Sequence, residues 1–326
     1  MIELLSSAAL ATVQDQGRLG SLRFGVGTSG AMDLMALAAG NLLLGNAEDV
    51  AGIEIPVFPF QVRFTEDCGF ALTGADCSAL LNDTPLQPWW ATQARQGDVL
   101  TLGLPAAHTG SRAYLALAGG VDVPEVLGSR STQLRGAFGG HEGRALRQGD
   151  RLQAAAPGRL QPADFGLVPP ALALPLTQDG CAAVRVLPAA EYARYTAASQ
   201  AAFWANEWKI TAQSDRYGYR LAGEALVPLA PMEMRSHGIV PGVVQVPPGG
   251  QPIVQMRDAQ PSGGYPKFGT VIEADLWRLG QAPIGSRIRF IETSFAEAVA
   301  ALAELQAWLA GAGRLVELHR GSPKRA

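Results

Sequence analysis

Short apolar runs alternate with turn signals along most of the chain. Eight of them read as strands: FPFQVRF (58–64), GFALTG (69–74), DVLTLGL (98–104), RAYLALAG (112–119), VRVLP (184–188), GVVQVP (242–247), PIVQM (252–256) and RIRFIE (287–292). Between the sixth and seventh, PPGG (247–250) has hairpin-turn chemistry. Three segments, ARQGDVLTL (94–102), LRQGDRLQA (146–154) and APIGSRIRF (282–290), each run a glycine turn into an alternating strand, which suggests similar β-modules used more than once. Helical spacing occurs in two places. AMDLMALAAGNLLLGN (31–46) is expected to open after Thr28-Ser29 and stop at Gly45. SFAEAVAALAELQAWLAGAG (294–313) begins with a capping box, Ser294 and Glu297, and carries an apolar face of Phe295, Val299, Leu302, Leu305 and Leu309. A packing element is the expected role of that second helix.

The Pro- and Ala-rich stretch 154–180 lacks periodicity and reads as a connector. The pattern predicts a β-rich α+β protein in two halves, each built on a closed or half-closed β-barrel with a few peripheral helices. Residues 1–157 form the N-terminal half with its glycine-rich loop, 158–180 the connector, and 181–326 the C-terminal barrel half.

Composition narrows the class. With 48% hydrophobic and 17% charged residues over 326 positions, the chain can bury a sizeable core. A net charge of −3 provides no basic stripe, so nucleic acid is not an expected partner. Three cysteines, Cys68, Cys77 and Cys181, form no CxxC pair, and a reduced, cytoplasmic setting is expected. The N-terminus has no export-signal pattern, and no apolar run approaches the ~20 residues that span a bilayer. Of the 26 basic residues only Lys209, Lys267 and Lys324 are lysines.

Two polar, glycine-studded regions are the candidate chemistry. The first, TVQDQGRLGSLRFGVGTSGAMD (12–33), contains GVGTSG (25–30), which matches a dinucleotide fingerprint as a string; the polar, glycine-broken run before it is unlike a buried parallel strand. A loop and helix start that together face an anion are the alternative, with Arg18 and Arg23 as anion contacts and Asp15 and Asp33 orienting them or acting as bases. A plainer reading has Asp15 and Arg18 bracing the loop, with Ser29 and Asp33 favouring the helix start. The second region spans QSDRYGYRL (213–221), RSHGIVPGVVQVP (235–247) and DAQPSGGYPKFG (258–269). It offers Ser214, Asp215, Arg216 and His237, and it sets Tyr265 and Lys267 beside Gly263 and Gly264, where backbone can approach a ligand. Walker, zinc-ligand and GxSxG spacings are missing from the sequence, so no metal is expected.

The motifs TVQDQGRLG, SGAMD, NLLLGN, RAYLALAGGVDVPEVLGSRST, GGHEGRALRQGD, SDRYGYRL and GGYPKFGTVIEADL, in this order, resemble the allophanate hydrolase subunit 2 family, also called KipA-like or carboxyltransferase subdomains A and B. The likeness runs from about residue 10 to residue 292. It implies cyclophilin-like barrels and one of three roles: a component of ATP-dependent 5-oxoprolinase, a carboxyltransferase component acting on urea or a similar amide through carboxybiotin, or a regulatory binding protein. EYARYTAASQAAFW (191–204) and DAQPSGGYP (258–266) are closest to the oxoprolinase branch, with departures at Pro261 and Tyr217. That branch implies ATP as co-substrate and two partners: a B-type protein that is KipI-like (allophanate hydrolase subunit 1-like), and an A-type protein that is LamB/YcsF-like. Biotin enters only in the carboxyltransferase reading, and another protein must carry it, since no lysine here lies between methionines. From the two polar, glycine-rich regions Asp15, Arg18, Asp215, Arg216, His237 and Lys267 are the catalytic candidates for such chemistry. Ser29, Asp33, Ser214, Gly263, Gly264 and Tyr265 are the substrate-binding ones.

Overall fold

The computed structural model describes residues 1–6, 9–156 and 165–321. The chain forms two compact units: Met1–Arg18, Ser29–Ala173 and Gln306–Ala326 make the first, Leu19–Thr28 and Leu174–Leu305 the second. Residues 158–164 of the expected connector lie outside the described residues. The rest of it holds short elements, including Phe165–Gly166, which pairs with Trp90–Ala94 in the first unit.

Two antiparallel sheets build the first unit. One runs in the order Val121–Asp122, Arg151–Ala154, Ile2–Leu4, Phe60–Phe64, Val99–Leu102, Leu80–Leu81 and Thr84–Pro85. The other runs Phe165–Gly166, Trp90–Ala94, Cys68–Gly74, Ala113–Leu117, Gly52–Ile55 and Thr12–Gln14. Both contribute to one apolar cluster that includes Ile2, Leu4, Phe60, Val62, Phe64, Phe70, Leu100 and Leu115. Phe60, Val62 and Phe64 are buried while Gln61 and Arg63 between them are not, as period-two alternation requires. Cys68–Gly74 and Ala113–Leu117 are buried throughout. Their second face is covered by the helix Leu34–Leu44 and the end of the C-terminal helix, through a cluster of Leu43, Leu44, Ala71, Ala91, Ala116 and Val316. At Gly40 of that helix an added Cβ would lie 3.2 Å from the Thr73 hydroxyl, so a small residue lets helix and sheet approach.

The second unit contains a closed barrel. Its strands follow the order Cys181–Pro188, Lys267–Val271, Val243–Gln245, Ile253–Gln255, Gly218–Ala222, Trp208–Ile210 and Arg287–Glu292. A parallel pairing of Ala183 with Arg289 through Val186 with Glu292 joins the last strand to the first. The expected hairpin is present: Val244 pairs with Val254, and Gly250 N donates to Pro247 O at 2.9 Å. The helix Ala197–Ala205, capped by the Thr196 hydroxyl, delivers Phe203 to Phe268 (4.5 Å between ring centroids) and Phe290 (4.6 Å, stacked). Burial of each such ring stabilises by about 1.5–3 kcal/mol.

Both helix expectations need correction in detail. The first helix starts at Leu34, with Asp33 rather than Thr28-Ser29 as its cap: Asp33 Oδ1 accepts from Ala36 N at 2.9 Å. Asp33 itself is extended (φ −119°, ψ 91°), and distant strands hold the adjoining amides, Met32 N through Glu54 Oε2 (2.7 Å) and Asp33 N through the Tyr114 hydroxyl (2.8 Å). The last helix spans Phe295–Gly321 and has the expected capping box, with Glu297 N donating to Ser294 Oγ and Ser294 N to Glu297 Oε2. Its buried stripe is Ala301, Leu305, Ala312 and Val316, whereas Phe295 (75%) and Val299 (52%) are exposed. Alanine and leucine are intermixed so evenly here that hydrophobic periodicity alone does not fix the face.

Candidate functional site

The candidates of the opening segment form a frame within the first unit. Asp15 Oδ1 accepts from Gly17 N (2.8 Å), from the Ser129 hydroxyl (2.7 Å) and from the Ser131 hydroxyl, while Oδ2 accepts from Arg130 N. A carboxylate that receives four donors is a hub, and charge-assisted bonds of this kind are the strong ones. Arg18 is fully buried; Nε donates to Val126 O (2.9 Å), Nη2 to Ser131 O (3.0 Å), and the guanidinium lies 4.8 Å from the Phe138 ring centroid. Ala31 N donates to Asp15 O at 3.0 Å, closing the loop ends. Gly30, at φ +93°, would bring a Cβ to 3.0 Å from Gly17 Cα, so close backbone approach and a left-handed φ favour glycine there, and Gly17 stands at φ +98°. Asp33 caps the helix as described, and Tyr114, which receives its amide, donates to Glu54 Oε2 at 2.8 Å. Burial and the neighbouring Glu54 carboxylate push the Tyr114 phenol well above its ordinary pKa, so it remains a donor. Ser29 is buried at φ +52°. Sequence reasoning does not reach Ser129, Ser131, Glu54 or Tyr114. The signal that could have found the two serines and the tyrosine is their polarity inside the runs LGSRST and RAYLALAG.

The middle of the same loop belongs to the second unit and reaches the C-terminal cluster through backbone. Thr28 Oγ1 donates to Arg257 O at 3.3 Å. A Cβ on Gly27 would stand 2.5 Å from Ala259 O. Leu19 and Phe24 at the tip are exposed, with Arg23 over the Phe24 ring.

Within the second unit the C-terminal candidates sort into three groups. Ser214 and Asp215 shape a turn: the Ser214 hydroxyl accepts from Arg220 N (2.9 Å), and Asp215 Oδ1 accepts from Tyr217 N (2.8 Å) and Gly218 N (3.2 Å). Arg216 makes a buried two-pronged pair with Asp258, Nε to Oδ2 at 2.9 Å and Nη2 to Oδ1 at 3.1 Å, which clamps the turn before residue 262. His237, Gly263, Gly264, Tyr265 and Lys267 come together at a two-residue ribbon, where His237–Gly238 pairs antiparallel with Ser262–Gly263.

Lys267, at the start of a barrel strand, donates from Nζ to Gly238 O at 3.4 Å, and no carboxylate among the described residues lies within ion-pair distance of it. Its amide donates to Glu191 Oε2 at 3.0 Å. Beneath the ribbon Gln255 Nε2 donates to Gln245 Oε1 (3.1 Å), and Gln245 Nε2 donates to Tyr265 O (3.3 Å). A Cβ on Gly263 would stand 2.7 Å from Gln245 Nε2, so the ribbon rests directly on this buried amide pair. Tyr265 is 45% exposed. His237 Nδ1 lies 3.0 Å from Arg235 O. Asp258, Glu191, Gln245 and Gln255 also escape sequence reasoning; a glutamine inside each apolar strand, VVQV and IVQM, is the signal for two of them. Among the described residues no group of three or more His, Cys, Asp or Glu is placed to hold a metal ion. No described helix is long and apolar enough to cross a membrane.

The profile of the family described as "Carboxyltransferase domain, subdomain A and B" matches residues 24–292. This chain belongs to that family. It is 45% identical over 298 residues to the C-type subunit of 5-oxoprolinase from Haemophilus influenzae, covering 91% of this chain and 93% of that one. It is 42% identical over 306 residues to the corresponding 5-oxoprolinase protein of Escherichia coli, covering 94% and 96%. Among solved structures, Kluyveromyces lactis urea carboxylase superposes with a TM-score of 0.87 at 28% identity over 100% of this chain, which spans only 30% of that protein. For this carboxyltransferase-family chain the matched span starts at residue 24: Asp15 and Arg18 precede it, and the whole ribbon lies inside it.

Proposed function

We propose that this chain is the C-type subunit of an ATP-dependent 5-oxoprolinase, acting with A- and B-type partners to open 5-oxoproline to glutamate. The observation that carries this reading is near full-length identity of 45% and 42% to two proteins of that name. A lactam resists water because amide resonance must be broken. Transfer of the ATP γ-phosphoryl group to the lactam oxygen forms an O–P bond and releases ADP; water then adds at the activated carbon, the ring C–N bond opens to leave an acyl phosphate, and a second water cleaves this to the carboxylate and phosphate. 5-Oxoproline itself carries a carboxylate, and Lys267, which has no carboxylate within ion-pair distance among the described residues, is the cation suited to binding it. Tyr265, His237 and the Gly263-Gly264 backbone border the same ribbon and orient the substrate, whereas Asp15, Arg18 and Asp33 hold loops of the first unit and Arg216 braces a turn of the second. ATP and a small amide are the small-molecule partners in this reading, with the complex working in the cytoplasm.

Reconstitution tests it. The chain alone is expected to hydrolyse nothing, and the three-protein mixture to hydrolyse ATP only when 5-oxoproline is present, indifferent to avidin. Lys267→Ala should lower kcat/KM by at least about 10-fold. Avidin-sensitive turnover of urea would instead place the chain with the carboxyltransferases.

A further inference from the structure

We infer that His237 and Lys267 read the two ends of the substrate separately: His237 Nε2 accepts the ring N–H of a lactam and takes its proton, and the Lys267 ammonium binds the carboxylate. This rests on the oxoprolinase reading and assigns the substrate class of its site: a small cyclic amide that carries a carboxylate. The first observation is a fixed tautomer. A carbonyl only accepts, so the 3.0 Å contact between His237 Nδ1 and Arg235 O places a hydrogen on Nδ1. In the neutral ring Nε2 is then a bare acceptor. That atom is shielded from solvent and meets no hydrogen-bond partner. Buried acceptors without a donor are rare and costly, and each calls for an explanation. The second observation is the Lys267 ammonium, which among the described residues bonds only the carbonyl of Gly238, the residue next to His237. An unanswered acceptor and a cation without a counter-charge therefore meet at one strand of a ribbon held by two residue pairs, His237 with Gly263 and Gly238 with Ser262. The ribbon is continued by Ile239 N, which donates to Pro261 O at 3.0 Å, so a ligand that reaches Nε2 does so by displacing this local pairing.

The chemistry closes on the same atoms. When the lactam oxygen bonds to the γ-phosphorus and the bond to ADP breaks, the ring nitrogen becomes acidic; its proton passes to His237 Nε2, and the nitrogen lone pair forms the C=N bond. When water adds and the C–N bond breaks, His237 returns the proton to the departing nitrogen. A histidine in this role is a general base and then a general acid.

The test uses the three-protein complex and two competitive inhibitors: the lactone analogue of 5-oxoproline, with ring oxygen in place of N–H, and 2-pyrrolidinone, which lacks the carboxylate. The lactone is expected to bind the wild-type complex about 10- to 100-fold more weakly than 5-oxoproline, the range of one unsatisfied polar group. His237→Leu should erase that preference and lower kcat by about 100-fold or more. His237→Gln, which keeps an acceptor but no base, should retain the preference while kcat falls. Lys267→Met should weaken 5-oxoproline and leave 2-pyrrolidinone unchanged. Equal binding of lactone and lactam by the wild type, or an unchanged preference in His237→Leu, overturns the inference while the oxoprolinase reading stands. Absence of 5-oxoproline-dependent ATP hydrolysis in the wild-type complex overturns both.

Discussion

Removing the Arg216 guanidinium should unfold the second unit far more readily than removing the whole charge pair. Asp258 is 5% exposed and Arg216 8%, joined by bonds of 2.9 and 3.1 Å. Charge centres about 4 Å apart attract by about 4 kcal/mol at an effective dielectric constant near 20. Arg216→Met strands the carboxylate in the interior, and such one-sided deletions cost about 3–5 kcal/mol. For a unit of this size each kcal/mol lowers Tm by about 2–4 °C, so a fall of about 10 °C is expected. Arg216→Met combined with Asp258→Leu leaves no charge behind and should be more stable than either single variant. Urea titrations of the wild type, both singles and the double variant form the cycle. A loss under about 1 kcal/mol in Arg216→Met, or strict additivity in the double variant, would refute the clamp.

Four further outcomes follow from contacts elsewhere. Gly27→Ala forces a Cβ to within 2.5 Å of the Ala259 carbonyl and should cost about 1–3 kcal/mol in a urea titration, because backbone must move. Asp15→Asn keeps one acceptor but loses the charge and the Arg130 N–H bond; a destabilisation of about 1–3 kcal/mol is expected by thermal melt. Burial pushes the Cys77 thiol up to about 12, so in the native protein it should resist iodoacetamide at pH 8 and react once unfolded. The hydrogen bond from Arg144, aided by Arg147 N, holds the Asp150 carboxyl below its ordinary 3.8. Its stabilisation is present above that value and lost as pH falls through the lowered one. The drop in urea midpoint between pH 6 and pH 3 should therefore be smaller in Arg144→Ala than in the wild type.

Much of the architecture was legible because it depends on local chemistry. Alternation in FPFQVRF, the turn in PPGG and the capping box at Ser294 each require only neighbours in sequence, and each forms. Barrel closure does not: the parallel register of Cys181–Pro188 with Arg287–Glu292 joins segments about a hundred residues apart. At the start of the first helix, Glu54 and Tyr114 on distant strands hold the Met32 and Asp33 amides, contacts that no local pattern reveals. Site residues follow the same division. Polar and glycine-rich composition singled out two groups of segments, and from the second His237, Tyr265 and Lys267 gather at one ribbon. Composition could not separate Lys267, which has no carboxylate partner among the described residues, from Arg216, whose partner Asp258 lies 42 positions on. Nor did it reveal that Asp15 is encircled by Ser129, Arg130 and Ser131, more than a hundred positions away.

ATP hydrolysis by the complex reconstituted from this chain and its A- and B-type partners, assayed with and without 5-oxoproline, measures the central claim most directly. ADP and glutamate should appear together, in equal amounts, and only when all three chains and the lactam are present. Glutamate released at full rate without this chain, or ADP formed without regard to the lactam, would contradict it.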